Sequence, residues 1–522
     1  MTGSLSVRAQ DRAYERRWWI LGVLCFSLLV IVLDNTILNV AIPTIVRDLD
    51  ATNSQLQWMV DAYTLVFAGL VLTGGSLGDR FGRRGALQLG LVIFGLGSLA
   101  SAFASTSEQL IATRAFMGIG GAFIMPATLS IITNVFPATE RGKAIGVWAA
   151  TAALAGVLGP LTGGFLLEHF YWGSIFLVNL PVIVVALVGI ALAVPESRDP
   201  VHRRLDLGGA LLSIAGLGAL VYGVIRGGSD GWAAPGTLAT IALGLALLVA
   251  FVAHERRSDH PMLDLEVFRN PRFAGASLAV TAVYFCLFGT IFLLTQHLQE
   301  LLGYGTLAAG IRTVPFAVVL MAVANLTPRI VGRFGPRVPI VAGLLIVAVS
   351  QLLRIASTAD SGYGIILLSQ VTFALGMGLL IAPATASIMG AVPAARAGVG
   401  SAINDTTRQV GGALGVAVMG SVAAAGFRSD LAQRVPGVAR RAGDSLGTAL
   451  DAARSLGRAD VADAARHAFI HGLRLASLVA FVVALIGAAV AWRLLPGGRA
   501  LTATDASPAS ATAGGDAEVA AA

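Results

Sequence analysis

The sequence predicts an all-α integral membrane protein, and three observations predict it. Of its 522 residues, 56% are hydrophobic and only 12% are charged, about half the charged share of soluble domains. Runs of about 20 apolar residues, each long enough to cross a bilayer, fill most of the chain. The 36 basic residues sort by side, in the pattern that orients membrane helices.

Fourteen helices are predicted, at roughly 18–42, 56–77, 86–105, 109–133, 144–167, 174–194, 206–226, 236–254, 273–296, 305–328, 338–357, 363–390, 399–426 and 472–495. The first is an uncleaved span, since its apolar run is too long for a signal-peptide core. Segment 427–471 is too polar to span and reads as an extracytoplasmic loop. Within it Leu446, Leu450, Ala453 and Leu456 keep a helical period, suggesting an amphipathic helix outside the bilayer. The tail 497–522 is rich in Ala, Thr and Ser and reads as disordered.

An even number of spans places both termini on one side. About 23 of the Lys and Arg residues fall there, including Arg16, Arg17, Arg80, Arg83, Arg84, Arg141, Lys143, Arg203, Arg204, Arg256, Arg257, Arg333 and Arg337. About four (Arg47, Arg226, Arg312, Arg354) fall in or beside the short loops opposite. Arg114 is inside a span, and the remaining eight sit in the long loop and the start of the last helix. The N-terminus is therefore expected to be cytoplasmic. The net charge of +7 is dispersed among loops rather than gathered in a patch, which excludes a nucleic-acid surface. The two cysteines, Cys25 and Cys286, lie in apolar runs and suggest neither a disulfide framework nor a metal site.

Two halves echo each other at an offset near 255 residues. RFGRR (Arg80–Arg84) matches RFGPR (Arg333–Arg337), and PATLSI (Pro126–Ile131) matches PATASI (Pro383–Ile388). The expected organisation is an N-terminal segment 1–17, a six-helix lobe 18–194, two inserted helices with their linkers at 195–272, and a second six-helix lobe 273–496. Parallel repeats of this kind build two-lobed transporters that rock around a midplane site.

Several polar residues stand out against this background. In LDNTILNVAIP (Leu33–Pro43), Asp34 lies about 24 Å along its helix from Trp18, past the centre of a hydrocarbon core about 30 Å thick. Asp61, in WMVDAYTLV, enters from the same outer side at a similar depth. Both are expected to face a cavity open outward or to the midplane. There an acid can take a proton from one side and surrender it when a cation arrives. Arg114 costs roughly 2.5–3.5 kcal/mol in hydrocarbon on insertion scales, so it should face the interior and find a carboxylate. Asn35 and Asn39 are lesser polar candidates beside Asp34. Asp405 and Arg408 stand i, i+3 on the thirteenth helix and read first as a structural ion pair.

The loop GGSLGDRFGRRGAL (Gly74–Leu87) carries Gly75, Asp79, Arg80, Gly82, Arg83 and Arg84. Its glycines permit close helix approach and a tight turn. Asp79 is expected to latch a cytoplasmic gate by pairing with Arg83, Arg84 or a neighbouring helix end. In the second half Gly332 replaces Asp79, so the latch is asymmetric. In the fifth helix, Gly159-Pro160-Leu161-Thr162-Gly163-Gly164 should bend the helix and keep the bend pliable. The chain has no phosphate-binding loop of the G-x-x-x-x-G-K-[ST] type, no His/Cys cluster and no Ser/His/Asp constellation, so nucleotide hydrolysis, a metal cofactor and enzymatic chemistry are not expected.

Together these segments resemble the major facilitator superfamily, specifically its fourteen-helix drug:proton antiporters. PMLDLEVFRN (Pro261–Asn270), QHLQELLGYGTLAAGIRTVP (Gln296–Pro315) and GSAINDTTRQVGGALGVAVMGS (Gly400–Ser421) extend the resemblance, which runs from about residue 18 to 495. It implies export rather than uptake, through the Gly159–Gly164 motif. It also implies proton coupling through Asp34 and Arg114, with proton motive force in place of any cofactor. Quaternary-ammonium and dye exporters of the family carry an acid in the W-x-x-D-x-Y context of Asp61. This chain departs from them at Leu320, where they have a further acid, at Asn404, Asp405 and Gln409, where they have more acids, and at Gly173, where Arg is customary. The expectation is an inner-membrane, proton-coupled exporter of lipophilic, cationic drugs, dyes or antiseptics, working as a monomer. A dedicated exporter of an endogenous metabolite or lipid is the alternative on the same fold, and a non-transporting sensor or scaffold is the alternative from another class.

Overall fold

The computed structural model describes residues 14–197, 206–258, 265–391, 397–436 and 445–496. The expected disorder of 497–522 lies outside them, as do residues 1–13 of the N-terminal segment. Helices make up the described chain, with no strand among the described residues.

The helices are α1 (Arg17–Leu49), α2 (Asn53–Phe81), α3 (Arg83–Ala102), α4 (Ser107–Val135), α5 (Ala138–His169) and α6 (Ser174–Ala193). They continue with α7 (Leu207–Asp230), α8 (Pro235–Arg257), α9 (Pro271–Gln296), α10 (Val314–Phe334), α11 (Arg337–Ile355), α12 (Tyr363–Gly390) and α13 (Ala397–Arg434). A short α14 (Leu446–Ser455) and a long α15 (Ala459–Leu494) close the fold. Twelve of these helices are long and apolar enough to cross a membrane. The other two long ones, α2 and α5, pack among them. Apolar side chains such as Val184, Val185, Val188 and Leu192 on α6, and Leu238, Leu243, Leu245 and Val249 on α8, stay exposed. Lipid, rather than water, suits such a surface.

Small residues set the spacing inside each half. Added Cβ atoms at Gly120 and Gly376 would strike the Gly90 and Gly343 carbonyl oxygens, at 2.6 and 2.5 Å. The pairs α3–α4 and α11–α12 are thus matched seams of the two halves. The echoed loops match as well: Gly82 and Gly335 both hold positive φ, 125° and 74°, where one helix turns sharply into the next. Helix α7 packs against α2 and α13, between the halves, and α8 packs on α7.

One expectation needs correction. The long polar loop 427–471 is largely helical: α13 runs on to Arg434, α15 begins at Ala459, and α14 lies between them. Phe427, Leu431, Leu446, Ala449, Ala453, Val461, Ala465 and Ala468 form a buried apolar stripe through it. Pairs such as Arg434–Asp430 (2.6 Å) and Arg454–Asp451 (3.0 Å) dress the polar side. Charged residues between the buried positions lower the mean hydropathy and hide these helical stretches. Helix α5 runs on through Pro160, which removes one backbone donor from it.

On the face opposite the N-terminus the two halves touch. A Cβ on Gly164 would lie 2.6 Å from Leu307 Cα and 3.0 Å from Thr306 O. Thr306 Oγ1 donates to Gly164 O (3.2 Å), and Gln299 Nε2 donates to Val40 O (2.8 Å). Gly310 abuts the Pro160 carbonyl, and Gly420 abuts the Gln57 side chain. Nearer the N-terminal face, Gly156 on α5 and Gly332 on α10 have nothing within 4 Å of a notional Cβ.

Candidate functional site

The polar centre of the first half gathers around Arg114. Gly118 and Gly121 on α4 let Tyr63 of α2 come close, its oxygen atoms 2.6 and 2.9 Å from their notional Cβ atoms. Arg114, one turn earlier, is 0% exposed. Its Nη1 donates to Asp34 Oδ2 of α1, its Nε to the Met59 carbonyl of α2 (3.2 Å), and its guanidinium lies 4.5 Å from the Tyr63 ring centroid. Asn179 of α6 donates to Asp34 Oδ1 and to Ser98 Oγ of α3, both at 3.0 Å. Asp34, 2% exposed, therefore ties α1 to α4 and α6 directly, and Asn179 extends the network to α3. Sequence reasoning asked Arg114 to find a carboxylate, and Asp34 is that carboxylate. Asn179 and Ser98 were not singled out; a lone Asn in the apolar run FLVNLPV was the available signal.

Asp34 does not face a cavity shared with Asp61. The partners of Asp34 all belong to the first half. Asp61 is 0% exposed and neither of its carboxylate oxygens has a hydrogen-bond partner. Met59 and Tyr63, which meet Arg114, each stand two residues from Asp61, about 200° around the helix. Asp61 shares its face with Trp58 and Leu65, which pack with Val221, Val224 and Ile225 of α7 and Ala413 and Ala417 of α13. Helix α2 thus carries the ion pair on one side and an unpartnered acid on the other, against the second half and the inserted pair. The lone buried acid anticipated at Asp34 is, in the structure, Asp61.

Asn35 and Asn39 donate to carbonyls of their own helix, Ile31 O (3.0 Å) and Asn35 O (2.7 Å). Asp405 and Arg408 form the expected i, i+3 pair at 3.8 Å, and Arg408 also donates to Thr385 Oγ1 of α12 (3.2 Å).

The motif Gly159–Gly164 makes two seams. Gly159 fits against Thr36 of α1, with Thr36 Cβ 2.7 Å from a notional Cβ, and Gly163 fits against Ile37 (3.2 Å). Gly164 and Pro160 meet the other half, as described above.

In the α2–α3 loop the side chain of Asp79 lies outside the described residues, so the latch assigned to it has no described geometry. Its neighbours engage the end of α6. Arg83 N donates to Ser197 O (3.0 Å), and Arg84 Nη2 donates to Ala191 O (3.1 Å). A side chain on Gly82 would approach Glu196 Cδ to 2.9 Å. Gly75 rests against Pro126 Cβ of α4 at 3.3 Å, and Arg80 is exposed over the Phe81 ring.

Comparison with known proteins bears on what this arrangement serves. The profile of the Major Facilitator Superfamily matches residues 24–416. The chain is 37% identical to the multidrug efflux pump LfrA of Mycolicibacterium smegmatis, over 92% of this chain and 96% of that one. It is 36% identical to the methyl viologen resistance protein SmvA of Salmonella typhimurium, over 88% and 95% respectively. Among solved structures, a bacterial homologue of the human lysosomal transporter Spinster, inward-facing and occupied, superposes with a TM-score of 0.66 at 19% identity. That match covers 92% of this chain and 96% of that one.

Proposed function

The chain belongs to the major facilitator superfamily, and from that premise we propose that it is a proton-coupled antiporter exporting lipophilic, cationic drugs and dyes. The coarser statement, a multi-pass membrane transporter related to drug-efflux pumps, needs no proposal. In this reading all fourteen long helices span the inner membrane of a bacterium, with both termini in the cytoplasm. One chain suffices, and proton motive force replaces any cofactor.

The observation that carries the reading is the arrangement on α2. Asp61 is buried with both oxygens unbonded. An unpaired buried carboxylate is costly, and a proton or a substrate cation relieves that cost equally well. Competition between the two is the essence of antiport. Asp34 and Arg114 on the far side of the same helix form the second element. An ion pair with no exposure to water has two states, paired and split by a proton on Asp34, and the Met59 carbonyl and Tyr63 ring hold Arg114 in either. Because Met59 and Tyr63 are on α2, movement of Arg114 is felt by the segment that presents Asp61. The seams at Gly164–Leu307 and Gln57–Gly420 close the outer face, so this form accepts substrate from the cytoplasm.

The energetics suffice. If two protons enter for each monovalent cation that leaves, one net charge moves inward. That supplies about 2.3 kcal/mol per 100 mV, which sustains roughly a fortyfold substrate gradient before the pH term is added. The name of one relative, a methyl viologen resistance protein, supports a cationic substrate class.

The test is a resistance and dye-efflux panel in a host lacking its own pumps. Expression should lower dye accumulation and raise tolerance to lipophilic cations, and a protonophore should abolish both. Unchanged accumulation of every cation tried, with the protein present in the membrane, removes the proposal.

A further inference from the structure

The second half contains a basic cluster that the coupling scheme does not use. We infer that it is a binding site for a small monovalent anion, built by Arg354 and His297 and open to the face opposite the N-terminus.

Arg354 lies in the last turn of α11 and is 4% exposed. Its Nε and Nη2 both lack a hydrogen-bond partner. These two N–H groups form the side-on fork of a guanidinium, the edge that takes two oxygens of a carboxylate or one halide. His297 begins the π-helical turn His297–Leu301 that ends α9, is 1% exposed, and has both ring nitrogens unpartnered. Irregular turns of this kind recur at functional sites. The two side chains line one narrow gap, together with Ser357, Ser369 and Leu473.

The surroundings offer no counter-charge. Among the described residues no carboxylate pairs with Arg354. Asp360, in the turn after α11, is exposed, and Glu300 lies near Gly447, Arg47 and Asp451. A further cation stands close: Arg474 of α15 donates to the Ser357 carbonyl through Nε (3.2 Å) and Nη2 (2.9 Å). The Ser357 and Ser369 hydroxyls donate to the Arg354 and Ile366 carbonyls at 2.5 and 2.8 Å, so their hydrogens are committed and the N–H groups of Arg354 and His297 are the donors left for an anion. A buried charge normally carries a partner. In the first half, helices α1, α3, α4 and α6 supply Asp34 to Arg114 from within. In the second half the corresponding helices α9, α11, α12 and α15 supply only the cation and its neighbours, and the partner must come from solution. The site stands independently of the export assignment.

The test uses the purified full-length protein in detergent. Its thermal unfolding midpoint is followed while sodium gluconate, a bulky anion, is replaced by sodium chloride or sodium formate at constant ionic strength. A saturable rise of a few degrees is expected with at least one of the two small anions. Chloride alone indicates a halide site; formate alone or more strongly indicates a carboxylate site. The Arg354→Met variant should melt at one temperature in all three salts. If that variant does not fold, His297→Gln should fold and show a weakened anion dependence. Identical midpoints of the unsubstituted protein in all three salts overturn the inference, as does an Arg354→Met variant that keeps the full anion response.

Discussion

The Asp34–Arg114 pair makes a quantitative prediction. In Asp34→Asn, the amide oxygen can still accept from Asn179, so the geometry survives and only the charge is lost. Arg114 then keeps the Met59 carbonyl and the Tyr63 ring but no anion, at 0% exposure. Breaking one side of such a pair costs about 3–5 kcal/mol, because the remaining charge stays buried without its partner. Arg114→Gln should cost a similar amount for the mirror reason. The double variant removes both charges, so its loss should be close to that of either single variant. The cycle then yields a coupling of about 3 kcal/mol or more, well above the roughly 0.5 kcal/mol scatter of independent sites. The assay is denaturant titration of the detergent-solubilised protein, read by tryptophan fluorescence. Additive losses, or an Asp34→Asn loss below about 1 kcal/mol, refute the view that these groups stand as a charged pair.

Three further outcomes follow from local geometry. Gly164→Ala places a methyl 2.6 Å from the Leu307 backbone; it should pry the halves apart on that face and lower export severalfold, while cysteine probes near Thr306 become more reactive. Gly82→Ala forces an alanine to φ 125° and against Glu196; it should destabilise by about 1–3 kcal/mol, measured by the same denaturant titration. Asp206, outside the membrane at the N-cap of α7, has its carboxyl below its ordinary range: burial pushes it up, but the Gly209 amide and the His254 ring outweigh burial. A depressed carboxyl stabilises the fold above its unfolded pKa of about 3.9 and stops doing so as pH falls through the folded value. Acid unfolding should therefore lose its Asp206 contribution only below that range, and Asp206→Asn should flatten this part of the pH curve.

Much of this was legible in the residues. An arginine inside an apolar run must find an anion; which of the two deep acids, Asp34 or Asp61, would meet it was not legible. The echo of RFGRR and RFGPR foretold the matched turns at Gly82 and Gly335. Which face of α2 meets α4 was not legible, because Met59 and Tyr63 look no different from lipid-facing residues until the glycines of α4 show where a backbone can approach. That is why Asp34 and Asp61 were expected to share a cavity and do not. The outer ends of α13 and α15 were missed because charged residues between the buried positions, such as Asp430, Arg434, Asp463 and Arg466, lower the mean hydropathy there. Asp79, whose side chain falls outside the described residues, leaves the latch on sequence grounds alone.

The central claim is that a lipophilic cation and a proton exclude one another at acids borne by or coupled through α2. Substrate-induced proton release measures it most directly. Inverted membrane vesicles containing the protein are given a lipophilic cation without an energy source, and external pH is followed with an indicator. The unsubstituted protein should release protons in proportion to the cation bound, Asp61→Asn should release none, and Asp34→Asn should release fewer. Equal release from all three proteins contradicts the account.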